Sequence, residues 1–268
     1  MAPAHSSAQS SAQSPALEWQ GGSVGAASGQ AVHRPPGIRG TGDGRRAGAE
    51  SGGASGVRRA LAWSLCVAGL LAYNWWILVP LKPGLMTSPD ELFSNLEISG
   101  QPYAAAMQHA DLTAGILLAA AFLAVGRRSA PGGFRDWLAM LAFAAAGAIG
   151  GVFPEVCADG ISAACRRQEW HFQLPSSQYV HILAGIAEFA AITIALVLAL
   201  RRTRGSSART AGSYRWLWRG ALVCYPLLGL AYLLNRMGGV MEAVFFVGFS
   251  IMVVTQMAER TIGSRTDR

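Results

Sequence analysis

Six apolar segments constrain this chain more than any other feature of its sequence. Each is close to the ~20 residues that an α-helix needs to cross the hydrocarbon core of a membrane. They run over Ala60–Leu81, Ala106–Val125, Trp137–Phe153, Tyr179–Leu200, Trp216–Leu234 and Gly238–Met257. Only 14% of the residues are charged, well below the roughly 25% that is usual in soluble domains. The sequence therefore predicts an all-α, polytopic integral membrane bundle of six transmembrane helices.

The distribution of basic residues predicts how the bundle is oriented. With the N-terminus inside, all but four of the 22 Arg and Lys residues fall in cytoplasmic segments, as the positive-inside rule requires. The four exceptions are Lys82, Arg166, Arg167 and Arg236. We therefore expect a multi-pass protein of the cell membrane with both termini cytoplasmic. The net charge of +7 then reflects topology and contact with anionic membrane lipids, and does not indicate nucleic-acid binding.

Residues 1–58 differ from the rest of the chain in composition. They are rich in Ala, Gly, Ser and Gln, with scattered Arg and no apolar periodicity. Such a segment cannot bury enough surface to offset the entropy of ordering, so we expect a disordered cytoplasmic tail. The predicted division is this tail, a transmembrane domain over 59–258 and a short cytoplasmic tail over 259–268. A long tail could also recruit a cytoplasmic protein partner, with the membrane domain as a scaffold.

Two cysteines, Cys157 and Cys165, lie eight residues apart in the predicted outer loop between the third and fourth spans. Because this loop would face the oxidising side of the membrane, we expect a disulfide, and closing so short a loop would stabilise the fold by roughly 2–3 kcal/mol. A metal site that includes His171 is the competing interpretation. It ranks lower because the chain has no CxxC or HxxxH pattern there. We expect neither a metal nor a cofactor.

Three acidic residues lie inside the predicted spans, where a charge at the bilayer centre costs at least ~2.5–3.5 kcal/mol. They are Asp111, Glu188 and Glu242. His181 shares a helix face with Glu188, because a separation of seven residues is about two helical turns. All four residues lie in helices that begin at the predicted outer face. At ~1.5 Å per residue, Glu188 would lie about 15 Å below that face, and the other two acids would be shallower.

These positions predict a polar cavity that opens to the outer face, with Glu188 at its floor. The residues of its mouth and rim are Asp111, His181, Glu242, His109 and Arg236. The last two, at the rim, would pair with the acids. The alternative is that all these groups pair with one another or with Tyr, Ser and Thr side chains, and only hold the helices together.

Several short motifs, taken in order, resemble those of a known family. They are Leu96-Glu97-Ile98-Ser99-Gly100-Gln101-Pro102-Tyr103, Asp111-Leu-Thr-Ala-Gly115, Phe153-Pro-Glu-Val-Cys157 with Cys165, and His181. Over about residues 60–257 the chain resembles the bacterial six-helix membrane proteins catalogued as domain of unknown function 998. It differs in the loop, where Glu97 precedes Ile98-Ser99 rather than following a serine. The resemblance implies a six-helix fold with an outer cysteine pair and no assigned reaction.

The predicted cavity favours a protein that binds a lipid or another amphipathic small molecule and handles it in the cell envelope. The alternative is an intramembrane acid catalyst that cyclises or hydrolyses a prenyl or lipid substrate. Buried carboxyl groups suit proton donation, because burial disfavours their charged form. The chain has no Asp-rich diphosphate motif and no nucleophile elbow, so we expect binding. The candidate catalytic residues for the alternative are Glu188, Asp111, Glu242 and His181.

Overall fold

The computed structural model is built from α-helices that follow the predicted spans. It describes residues 44–82, 85–86, 88–126, 133–158, 162–204, 209–234 and 236–262. Within these ranges the chain forms seven α-helices and two short 3-10 helices, and no β-strand. The all-α membrane bundle is therefore confirmed.

Five of the helices are long and apolar enough to span a membrane. They are α2 (Ala104–Val125), α3 (Phe134–Val152), α5 (Ser176–Arg202), α6 (Arg209–Leu234) and α7 (Gly238–Ile262). A short helix, α4 (Ala163–Trp170), lies between α3 and α5. The remaining helix, α1 (Gly44–Tyr73), includes the first part of the first predicted span, Ala60–Leu81.

The first predicted span is bent, which corrects the prediction of one continuous helix over Ala60–Leu81. A 3-10 helix over Trp75–Leu81 follows α1 at an angle of 41°. Asn74 lies at the bend, where its side-chain amide donates to the Leu70 carbonyl at 2.8 Å and to Ser250 Oγ at 3.0 Å. The amide thus pairs a carbonyl at the helix end and ties the bend to α7. Counted as one span, this bent pair makes the sixth membrane crossing.

The ends of the structure lie differently from the predicted domain boundaries. Because α1 begins at Gly44, the last part of the predicted tail over 1–58 is helical, and residues 1–43 lie outside the described residues. At the other end α7 continues to Ile262, past the boundary predicted at residue 258. Residues 263–268 are outside the described ranges, so the two cytoplasmic tails stay predictions.

Close approach of α2 and α3 depends on two glycines. A Cβ atom on Gly115 would lie 2.5 Å from the backbone nitrogen of Ala148, and one on Gly151 would lie 2.5 Å from that of Leu112. Such distances leave no room for a side chain, so the two backbones pack directly against each other. Gly147, on the same helix as Gly151, faces the Glu188 carboxyl group instead.

A charge-balanced network joins α3, α5, α6 and α7 at the end of the bundle where α3 begins and α5 ends. The Arg202 guanidinium lies 2.8 Å from Asp136 and also pairs with Glu259. Arg260 lies 3.3 Å from Asp136, and the Tyr214 hydroxyl donates to Glu259 at 2.6 Å. Asp136 and Arg260 are 2% and 1% exposed. We call this the ion-pair network; its two acids and two guanidinium groups neutralise each other.

Candidate functional site

A polar cavity of about 560 Å³ lies among α1, α2, α3, α5, α6 and α7. The four ionisable residues that were predicted inside the spans, Asp111, His181, Glu188 and Glu242, all line it. The structure therefore brings side chains from three different helices to one space. We call this space the carboxyl cavity.

The loop before α2 closes part of the carboxyl cavity. It contains the second 3-10 helix, Phe93–Glu97, and is held against the start of α7. Asp90 accepts a hydrogen bond from the Met237 amide at 2.6 Å. A Cβ atom on Gly239 would lie only 2.4 Å from the Glu91 carbonyl oxygen, so this contact requires glycine. The Glu242 carboxyl group also accepts hydrogen bonds from the backbone N–H groups of Phe93 and Ser94, which fixes the loop over the cavity.

Two carboxyl groups meet where this loop reaches α2. The Glu97 carboxyl group, 3% exposed, forms a hydrogen bond with that of Asp111. Burial raises the pKa of Glu97 well above its usual range, and the neighbouring carboxyl groups of Asp111, Glu155 and Glu242 raise it further. The raised pKa favours the protonated form of Glu97, whose O–H can donate to Asp111. On its other side Asp111 accepts a 2.8 Å hydrogen bond from the Trp75 indole.

His181 pairs with a carboxyl group that the sequence did not single out. Its Nε2 atom lies 3.5 Å from Glu155 Oε1, and its Nδ1 atom lies 2.9 Å from the Phe153 carbonyl oxygen and 3.2 Å from that of Gly150. Both carbonyls belong to the end of α3 and the residue after it. The imidazole ring is thus oriented by the backbone, with its second nitrogen directed at Glu155.

The cysteine pair lies directly after Glu155. Cys157 and Cys165 form a disulfide, with their Cα atoms 6.0 Å apart, and the disulfide prediction is confirmed. Both sulfur atoms are used in this bond, so the competing metal site with His171 loses two of its ligands. Within the described ranges, no group of three or more His, Cys, Asp and Glu side chains could hold a metal ion. The disulfide and the Gln178 side chain, which accepts from the Val156 amide at 2.8 Å, hold the segment that carries Glu155.

Glu188 lies opposite Gly147 and beside Tyr73. No ion pair joins Glu188 to an Arg, Lys or His among the residues that the structure describes. The Tyr73 hydroxyl oxygen is buried next to it without a hydrogen bond of normal length and angle to a described residue. A buried carboxyl group thus lies beside a buried hydroxyl group with no ion pair among the described residues, an arrangement that calls for an explanation.

The two predicted rim residues do not line the cavity. His109 is exposed, and its Nδ1 atom is bonded to the Ala105 carbonyl of its own helix. Arg236 is also exposed; its backbone N–H donates to the Ala231 carbonyl at 3.0 Å. Neither residue is in the cavity lining, and no ion pair joins either to a cavity carboxyl group among the described residues, so the structure does not bring them together with the acids.

An apolar groove of about 420 Å³ runs between α5, α6 and α7. We call it the lateral groove. It is lined mainly by aliphatic and aromatic side chains, and Gly220 and Gly248 leave open space along it. Tyr225 lines both the lateral groove and the carboxyl cavity. Its hydroxyl group is hydrogen-bonded to Thr193, so this side chain, which borders both spaces, is held in place.

Sequence reasoning missed several residues of this site. Glu97 and Glu155 lie in loops, where an acidic residue is ordinarily solvated, and Tyr73 lies at a span end, where aromatic residues usually anchor the membrane interface. One signal could have found the two acids, since Glu97 lies in the motif that precedes the second span and Glu155 lies two residues before Cys157. Neither position is inside an apolar segment, so their burial is a tertiary effect.

Comparison with known proteins identifies a family but no activity or ligand. No curated protein and no solved structure matches the chain. The family model described as "Protein of unknown function (DUF998)" matches residues 66–258. That region contains every lining residue of the carboxyl cavity and of the lateral groove. The chain therefore belongs to this family of unknown function, DUF998.

Proposed function

We propose that this membrane protein binds an amphipathic small molecule, such as a lipid, with the polar end in the carboxyl cavity and the apolar chain in the lateral groove. The observation that carries this proposal is the position of Tyr225, which lines both spaces. A polar cavity and an apolar groove that meet at one side chain match the two halves of an amphipathic molecule. Volumes of about 420 and 560 Å³ are in the range of small-molecule sites.

The packing of α6 supports entry of the chain from the membrane. None of the residues in the apolar window of α6 is buried, so this helix separates the groove from lipid with little packing of its own. Phe189 and Phe245, whose ring centroids are 5.0 Å apart, form an apolar wall next to Tyr225. A ligand that enters between α6 and its neighbours would meet the polar groups only beyond these rings.

The disulfide supports a location of the carboxyl cavity at the outer face. Cys157 and Cys165 lie at the cavity end of the bundle, and disulfides persist on the oxidising side of a membrane. The distribution of Arg and Lys predicts the same orientation. We therefore place the bound molecule in the outer leaflet, and the function in the handling of a lipid or lipid-like compound of the cell envelope.

The test compares two glycines of α6 by mass spectrometry of molecules that co-purify with the protein. Gly220→Leu fills the lateral groove, while Gly229→Leu adds the same side chain to the same helix at a position outside both spaces. We expect the co-purifying amphiphile to be lost from Gly220→Leu and from the double variant Glu188→Gln, Asp111→Asn, and to be retained by Gly229→Leu. An unchanged set of bound molecules in all three variants would contradict the proposal.

A second candidate function is intramembrane acid catalysis, which the Glu97–Asp111 carboxyl pair favours. A protonated carboxyl group that faces a cavity is a suitable general acid, and the adjacent carboxylate can take the proton back. No Arg or Lys is found among the described residues of the lining, so the substrate would be a neutral prenyl or lipid compound without a diphosphate group. Incubation with such compounds should give a product that Glu97→Gln and Asp111→Asn abolish; the absence of any product would exclude this candidate.

A further inference from the structure

The ionisable groups of the carboxyl cavity are almost all acidic. Five carboxyl groups and one imidazole line it, and no guanidinium or ammonium group does so among the described residues. They come from the loop before α2, from α2, from the segment after α3, from α5 and from α7. In chain order they are Glu97, Asp111, Glu155, His181, Glu188 and Glu242. The other titratable groups of the lining are the hydroxyl groups of Tyr73, Tyr225 and Tyr232.

The neighbours of these carboxyl groups do not neutralise them. Glu97 and Asp111 face each other, and Glu242 accepts backbone N–H groups. His181 can compensate one charge, that of Glu155 at 3.5 Å. Glu188 has the Tyr73 hydroxyl group beside it. If the carboxyl groups were all ionised, the cavity would hold several buried negative charges without counterions.

A buried carboxylate without a counterion is strongly disfavoured, so each group must either keep a proton or pair with a cation. An anionic head group such as phosphate or sulfate would add to the repulsion and lacks a basic partner here. A cation, in contrast, can replace protons one for one, which keeps the cavity close to neutral. The aromatic rings of Tyr73, Phe143 and Phe246 also line the cavity, and ring faces attract cations.

We infer that the polar end of the bound amphiphile is a cation, an ammonium group on an alkyl chain, and that its entry releases protons from the carboxyl groups around Glu188. This inference rests on the proposed function and names the chemical class of its ligand. The exchange is balanced: one ammonium group enters, one carboxyl O–H bond gives up its proton to water, and the resulting carboxylate pairs with the cation.

The experiment measures binding of three amphiphiles that share a dodecyl chain to the full-length protein in nanodiscs, with empty nanodiscs as the blank. The probes are dodecyltrimethylammonium, dodecyl maltoside and dodecyl phosphate. A trimethylammonium group keeps its charge at every pH, so any pH dependence reports the protein. We expect the cation to bind about tenfold more tightly than the neutral probe and the phosphate to bind most weakly. The affinity for dodecyltrimethylammonium should rise with pH, because protons compete with this cation for the same carboxyl groups.

Glu188→Gln tests the role of Glu188. Glu169→Gln is the matched control, because Glu169 lies in α4, does not line the cavity, and the substituted amide keeps an oxygen that can accept from Gln178. Glu188→Gln should lower the affinity for the cation by about tenfold, leave the neutral probe within about threefold, and lower the number of protons released. Glu169→Gln should change none of these. Proton release by the unmodified protein, from calorimetry in buffers of different ionisation enthalpy, keeps the test valid should Glu188→Gln not fold.

The outcomes separate the inference from the proposed function. Equal binding of the cation and the neutral probe, or binding of the cation without proton release, would overturn the inference and leave the proposed function intact. Binding of none of the three probes would overturn both. Tightest binding of the phosphate would show that the head group is an anion and would also overturn the inference.

Discussion

The two buried polar regions of this protein differ in how their charges are balanced. In the ion-pair network, Asp136 and Glu259 meet two guanidinium groups, and Tyr214 and Gln256 add hydrogen bonds to these two acids. In the carboxyl cavity, five acids are accompanied by one imidazole. The second region surrounds a space of about 560 Å³.

This difference separates a structural from a functional use of buried charge. Paired charges at the junction of four helices fix which helix ends come together, and removing one partner leaves the other uncompensated. The acids of the carboxyl cavity, in contrast, surround an open space with no Arg or Lys among its described lining residues. They are retained at a cost in stability, as is common for groups that act on a ligand.

The largest expected effect is in the ion-pair network. Asp136→Asn removes the carboxylate that Arg202 and Arg260 share. Breaking a buried pair in this way costs about 3–5 kcal/mol. Thermal unfolding in detergent should show this loss, with Asp111→Asn of the carboxyl cavity as the comparison. Equal unfolding temperatures of the two variants would remove the distinction between the regions.

The disulfide should have the next largest effect. Replacing both Cys157 and Cys165 with Ser removes the constraint on a short loop, which costs roughly 2–3 kcal/mol. Because the disulfide follows Glu155 closely, we also expect weaker retention of the co-purifying amphiphile. Cys66→Ser, which affects a free cysteine outside both spaces, provides the control. If the double variant behaved like this control, the disulfide would have no role at the site.

Glu97 should make stability depend on pH. Its raised pKa means that the folded protein keeps a proton which the unfolded chain loses above its ordinary glutamate pKa. Stability should therefore fall as pH rises from about 5 towards the raised value, by up to ~1.4 kcal/mol per pH unit. The amide introduced by Glu97→Gln does not titrate in this pH range, so the stability of this variant should depend less on pH. The measurement is the unfolding temperature of the two proteins between pH 5 and 8. The same pH dependence in both would refute the predicted role of Glu97.

The smallest expected effect concerns the predicted tail. Deleting residues 1–43 removes no residue of either polar region, so neither the unfolding temperature nor amphiphile retention should change. Co-precipitation of cytoplasmic proteins with the full chain and with the deleted chain tests the scaffold hypothesis separately. A drop in amphiphile retention would show that the tail takes part in the function.

The sequence predicted the helices well because each apolar segment carries its own length and hydropathy. It also predicted that Asp111, His181, Glu188 and Glu242 meet, since helix positions near one predicted face leave few other arrangements. The bend at Asn74 was missed although Pro80 lies in the same segment, because hydropathy alone does not distinguish a bent span from a straight one.

The contacts made by residues in loops and at helix ends could not be predicted from the sequence. Arg202 and Arg260 were counted among the residues that orient the bundle, although both belong to the ion-pair network. Their partner Asp136 is 66 residues away from Arg202, and no local pattern records such a contact. Glu97 is buried for the same reason, because a loop folds back over the cavity through contacts with α7.

The most direct test of the central claim measures stability and ligand retention together in Glu188→Gln. If the carboxyl cavity serves a ligand, the variant should lose the co-purifying amphiphile while its unfolding temperature, measured after delipidation, stays equal to that of the unmodified protein or rises. A fall in unfolding temperature like that of Asp136→Asn, with the bound molecule retained, would contradict the claim. It would instead make Glu188 part of the structural framework.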